Sequence, residues 1–129
     1  MVMHIAKADI PTRLKVPGAV ARQLTDFGTP EGPLGAEYFS LAAGTDMAPL
    51  LQGLAHDACH APHWGYLISG QVAVDYTDGS RERCVAGDLF YWPAGHSVRV
   101  DSDAELIMFS PQAEHSEVIE HIRSKLGHR

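Results

Sequence analysis

The sequence predicts an all-β fold, a sandwich or barrel of short strands, with an arm before it and one α-helix after it. Three observations carry that reading. Apolar and polar residues alternate with period two in several short runs, as in Gln71 to Tyr76. Turn signals separate those runs at short intervals: Asp78-Gly79, Ala86-Gly87-Asp88 and Pro93-Ala94-Gly95. The hydrophobic period changes to a helical one only after Ser110-Pro111. Evenly spaced short strands argue against alternating βαβ units.

The elements follow in order. Residues 1–35 contain Pro11, Pro17, Gly18, Gly28, Pro30, Gly32, Pro33 and Gly35, which cut them into short extended pieces. They are expected to form an N-terminal arm over the sheets, with a short strand over Val16 to Leu24. Residues 36–110 form the barrel. Glu37 to Leu41 is its first strand, and a turn-prone stretch, Ala43 to Asp46, follows it. Further strands are expected near Trp64 to Ile68 and Gln71 to Tyr76. Asp78-Gly79 then supplies a two-residue type I′ hairpin turn. The return strand, Ser80 to Ala86, has Arg81 and Arg83 on one face and Glu82 and Cys84 on the other. Leu89 to Trp92, Ser97 to Val100 and Glu105 to Phe109 complete the set. Residues 111–127 form the C-terminal helix, with Ser110 as N-cap, Pro111 at its first position and Gly127 as terminal cap. Val118, Ile119, Ile122 and Leu126 make an apolar stripe, expected to pack on the outside of a sheet.

Composition excludes several functions. The chain has 129 residues, 45% hydrophobic and 20% charged, with a net charge of −6, which fits one globular domain over 1–129. That charge offers no basic footprint for nucleic acid or for an anionic membrane. No apolar run is long enough to span a bilayer. The N-terminus has no apolar region after a basic start, so a cytoplasmic protein is expected. Two cysteines, Cys59 and Cys84, make no disulfide framework and read as thiols, ligands or core residues.

Two stretches stand out. His63 and Gly70 are separated by six residues; Gly87 and Pro93 by five, with Gly95 and His96 close behind. Together they resemble the two motifs of the cupin superfamily, in particular a group of small single-domain bacterial cupins with WGY and GDLFYWPAGH stretches. The sixteen residues between Gly70 and Gly87 match a short inter-motif segment. The resemblance implies a cupin double-stranded β-helix, or jelly-roll barrel, and a metal inside it. It covers about residues 56 to 110. The sequence departs from the family pattern at its ligands. His63 stands at the family's glutamate position. Asp57 and Cys59 stand where the family's two histidines fall at the shorter spacing, and His56 and Ala58 at the longer. The second-motif histidine is expected at Val98, and His96 lies two positions earlier, on the same strand face.

The resemblance therefore implies a shuffled ligand set of Asp57, Cys59, His63 and His96, with Asp57 and Cys59 sharing a strand face. His56 is a reserve ligand. A thiolate with imidazoles favours zinc among divalent transition metals, with copper, nickel and iron as competitors. His60 is expected to face away, Cys84 to pack in the core, and His4, His115, His121 and His128 to be solvated. Trp64, Tyr66, Phe90, Tyr91 and Trp92 are candidates for an apolar pocket, and Tyr66 and Tyr91 are the acid/base candidates beyond the ligands.

Two functions from different classes remain open at this point. One is a metalloenzyme (isomerase, lyase, hydrolase or oxygenase) acting on a small molecule. The other is a non-catalytic module that binds a small ligand or a structural metal. A homodimer is expected, because a sandwich leaves strand edges that must be covered or paired.

Overall fold

The computed structural model describes residues 3–17, 19–23, 28 and 32–127. Its strands are β1 (His4–Ala6), β2 (Thr12–Val16), β3 (Ala19–Arg22), β4 (Leu34–Leu41), β5 (His63–Tyr76), β6 (Arg81–Val85), β7 (Asp88–Trp92) and β8 (His96–Pro111). A short helix α1 (Ala48–Leu51) and a single-turn 3-10 segment (Ala55–Asp57) join β4 to β5, and α2 (Gln112–Lys125) follows β8.

β5 and β8 organise the sheet. They pair antiparallel along most of their length, from Trp64↔Phe109 to Tyr76↔His96. The first part of β5 also pairs with β7, the second part with β6. β4 pairs with the second part of β8, and β1 with the outer edge of β7. Two long strands that exchange partners halfway curl an antiparallel sheet into the expected cupin-type jelly-roll barrel.

The exchange happens at Gly70. The β5–β8 register shifts between Leu67 and Val72, and Gly70 adopts φ +83 within it. A Cβ there would lie 2.1 Å from the Asp103 carbonyl oxygen. Only glycine tolerates both the backbone angle and the approach. The sequence reading has a break between strands here, and a second one near Asp101; both are instead points within one strand, because neighbours supply hydrogen bonds through the irregularity.

Alternation sorts the faces. His96, Val98 and Val100 are buried with Ala104, Leu106, Met108 and Ser110, whereas Ile107 and Phe109 are exposed. Leu67, Val72, Val74, Cys84, Phe90 and Trp92 complete the main core, with the Phe90 and Trp92 rings stacked 3.9 Å apart. Burying such side chains contributes about 1.5–3 kcal/mol each.

Two elements differ from expectation. Instead of one strand over Val16 to Leu24, β2 and β3 form a two-stranded hairpin of their own, and Leu24 lies outside the described residues. Helix α2 does not lie on the outside of a sheet. Val118 is 1% exposed, packs with Leu51, Cys59 and Ala61, and joins Ile119 and Ile122 in the wall of a cavity. The helix closes one mouth of the barrel. It starts at Gln112 without a side-chain cap; Ser110 stays in β8 and turns inward.

Candidate metal centre

Cys59, His63 and His96 arrive from three places in the chain. Cys59 precedes β5 and pairs with the start of β8. Its N–H donates to the His96 carbonyl at 2.8 Å, and the Gly95 N–H donates to the Cys59 carbonyl at 2.8 Å. Gly95, at φ +91, makes the turn that brings β8 in at this point. His63 opens β5 opposite Trp92. The three side chains are 5%, 2% and 3% exposed, and their donor atoms all lie within 4.8 Å of one another. Cys59 Sγ is 3.4 Å from His63 Nε2, and the two imidazole centroids are 4.8 Å apart.

Hydrogen bonds set the tautomers. The Ser110 hydroxyl donates to Glu37 Oε1 at 2.6 Å. Its single proton is thereby used, so the contact between Ser110 Oγ and His63 Nδ1, 2.6 Å, has Nδ1–H as donor. His96 Nδ1–H donates to the Pro93 carbonyl at 2.7 Å. Both rings therefore carry their proton on Nδ1 and present the Nε2 lone pair, which is how a ligating histidine is held.

Burial sets the charges. It depresses His63 well below the usual imidazole range, assisted by nearby His96 and His115. It also lowers His96 to about 4, against the favourable Pro93 contact, and raises the Cys59 thiol to about 11. At neutral pH the site holds two neutral imidazoles and a thiol, whose proton would leave on metal binding. Two nitrogens and one sulfur suit a borderline-soft divalent ion, so this donor set fits a metal.

The three donors open onto a cavity of about 80 Å³. Phe39, Leu41, Met47 and Trp92 line it from one side and Val118 and Ile122 from α2. Beyond the three donors its polar lining is Ser97 and His115.

Other sequence candidates fall elsewhere. Asp57 is exposed and its carboxylate accepts the Gly53 N–H at 3.0 Å. It sits in a tight turn with φ +52, after His56 at φ +59, so the expectation of a strand face shared with Cys59 fails and the structure does not bring it to the trio. His56 is exposed as well. His60 turns outward to Glu117, 3.2 Å away. Tyr66 and Tyr91 alternate with the buried His63, Leu67, Phe90 and Trp92 and are not part of the cavity lining. Tyr91 instead stacks on Trp64, centroids 5.0 Å apart. Neither tyrosine is placed to exchange a proton inside the barrel. Cys84 is fully buried yet lies near His4 and Glu82, with Glu82 already engaged by His4 at 2.8 Å and by the Tyr76 hydroxyl at 2.5 Å.

Three residues at the site escape sequence reasoning. His115 is 5% exposed rather than solvated; its ring lies 4.4 Å from that of His63, and its Nδ1 is bonded to Glu37. Glu37 and Ser110 complete the group. Parity is the available signal: Glu37 shares the inward face of β4 with Phe39 and Leu41, and Ser110 shares that of β8 with Leu106 and Met108. His128 lies outside the described residues.

No family model and no curated protein matches the chain. Solved structures do. EutQ of Clostridium difficile is 18% identical, with 60% of this chain and 56% of that one covered and a TM-score of 0.45. Oxalate decarboxylase of Bacillus subtilis is 22% identical, with 84% and 29% covered and a TM-score of 0.46; one of its structures addresses its Mn(II) centres. Protein NMB1881 of Neisseria meningitidis is 16% identical, with 68% and 88% covered and a TM-score of 0.46. The chain thus spans about half of EutQ and under a third of the decarboxylase. Fold and site together define an antiparallel β-barrel with a buried thiol and two buried imidazoles beneath a closing helix. Its strand pairing, with His63 to Gly70 on β5 and Gly87 to His96 running through β7 to the start of β8, is that of a jelly-roll barrel.

Proposed function

We propose that this chain is a cupin-superfamily metalloprotein in which Cys59, His63 and His96 hold one divalent transition metal, zinc by preference, and that it acts on a small molecule in the adjoining cavity. The observation that carries the reading is the arrangement of both histidines: each is buried, neutral and held through Nδ1 with Nε2 left to bind, and their donor atoms cluster with a thiol. A three-donor set beside an open cavity leaves room for a further ligand, the arrangement of catalytic rather than structural zinc sites. Such an ion would supply Lewis acidity or an activated water. The apolar walls would exclude bulk water, and His115 is the residue placed to hold or pass a proton next to a bound molecule.

A second reading, a binding module without turnover, is favoured by one observation. Tyr66 and Tyr91, the acid/base candidates of the sequence, are not in the cavity wall. X-ray absorption on the metal-loaded protein separates the two. A fourth ligand from solvent, replaced when a small molecule is added, supports the catalytic reading, and four protein ligands overturn it.

The chain is further proposed to be a homodimer. Support comes from the outer face of β4 and β8, where Leu34, Tyr38, Ile107 and Phe109 are exposed and Tyr38 lies directly across from Ile107. An apolar sheet face of this kind is one that a partner covers. Among the described residues no helix is long and apolar enough to cross a membrane.

A further inference from the structure

We propose that Glu37 and Ser110 are positioning residues for His63, and that the same Glu37 carboxylate fastens α2 over the cavity through His115. The inference rests on the metal reading above, in that it takes His63 as a ligand.

The groups form one chain of hydrogen bonds across four elements. His63 on β5 donates to Ser110 on β8, which donates to Glu37 on β4. The second oxygen of Glu37 accepts from His115 on α2. Ser110 is fully buried, and Glu37 is half-buried on the inward face of β4. A carboxylate only accepts, so the direction of every proton in the chain follows from it. Glu37 compels Ser110 to donate, Ser110 is left to accept, and His63 must keep its proton on Nδ1.

The consequence reaches the site. In the other tautomer, His63 would direct Nε2–H at Cys59 Sγ, 3.4 Å away, and would offer no lone pair there. Partners of this kind on ligating histidines typically contribute about 10–100-fold in metal affinity. His115 lies in the first turns of α2, which links closure of the barrel mouth to the carboxylate that orients the ligand. Glu37 thus holds both branches of the chain, the one through Ser110 to His63 and the one through His115 to α2.

Three substitutions separate these roles. The probes are zinc affinity by chelator competition, the His63 tautomer from nitrogen-15 NMR of the metal-free protein, and amide exchange in α2. Ser110→Ala should lose the Nδ1–H preference of His63 and weaken zinc about 10–100-fold, with α2 exchange unchanged. His115→Ala should speed α2 exchange and leave the His63 tautomer as it was. Glu37→Leu should do both. Ser102→Ala, on the exposed middle of β8 and away from the cavity, should do neither. Wild-type His63 protonated on Nε2 overturns the relay without any variant, as does a Ser110→Ala protein with unchanged tautomer. Unchanged α2 exchange in His115→Ala overturns the fastening. A wild-type protein that binds no zinc overturns the metal reading alone, and the tautomer measurement then decides the relay by itself.

Discussion

Cys59 is hydrogen-bonded through its backbone to His96, N–H to carbonyl at 2.8 Å, and this bridge sets a thiol beside an imidazole. The two residues belong to distant parts of the chain. Their pairing depends on the Gly95 turn, which admits β8 next to the segment entering β5. A side-chain cluster fixed by main-chain hydrogen bonds has its geometry before any ligand arrives.

The first expected outcome concerns metal content. Elemental analysis of purified protein should find about one transition metal per chain, mainly zinc. Cys59→Ala, His63→Ala and His96→Ala should each lower zinc affinity by at least about 100-fold. His60→Ala, Cys84→Ala, Asp57→Ala and Tyr91→Phe should stay within about threefold of wild type, because their side chains lie outside the trio. If His60→Ala matched Cys59→Ala, the trio would not be the site.

Acid should destabilise the metal-free protein in a defined window. Both buried histidines titrate below the ordinary imidazole value of about 6.5, His96 at about 4 and His63 well below its usual range. As pH falls, the unfolded chain takes up these protons first. Stability is therefore fully present above about pH 6.5 and is lost as pH falls toward 4, by up to about 1.4 kcal/mol per pH unit for each histidine. Urea unfolding at pH 7.5, 6 and 5 tests this, and a stability constant across that range would contradict it.

Two glycines with similar backbone angles should respond differently to alanine. Gly70 and Gly79 have φ +83 and +89. A Cβ at Gly79 meets nothing within 4 Å, whereas one at Gly70 meets the Asp103 carbonyl at 2.1 Å. Gly79→Ala should cost about 1 kcal/mol from the backbone angle alone. Gly70→Ala should cost at least about 3 kcal/mol, since β5 and β8 must separate to admit the methyl group. Equal changes in urea midpoint would show that the bend in β5 does not depend on this close approach.

Light scattering should give a mass near twice the 14.0 kDa of the chain. Phe109→Lys, on the exposed face of β8, should reduce it to the monomer without loss of zinc, since the side chain points away from the cavity. A monomeric wild type at micromolar concentration would end the dimer proposal.

Local rules made much of the fold legible. Val72, Val74 and Tyr76 alternate with polar neighbours, Asp78-Gly79 turns the chain back, and Gly87 and Gly95 occupy positive-φ turns; each is a short-range requirement visible in a few adjacent residues. Parity also separated Cys59 from His60 and aligned His96 with Val98. Parity does not hold at Asp57, where a tight turn with two left-handed residues, and not a strand, carries the chain. The faces of Tyr66 and Tyr91 follow from where His63 and Trp92 point, which no local pattern gives.

The rest was decided in three dimensions. Ser110 has the chemistry of a helix cap and His115 that of a solvated helix residue, and each reading is sound for an isolated segment. Both change once α2 folds back over the barrel mouth, where water is excluded and polar groups must find one another. Glu37 and His115 meet only there. The sequence by itself determined which residues alternate, where the chain turns and which side chains can donate to a metal. Tertiary structure decided which of those donors converge and which partners orient them, because hydrogen bonds between distant segments exist only after the sheet has closed and the helix has docked.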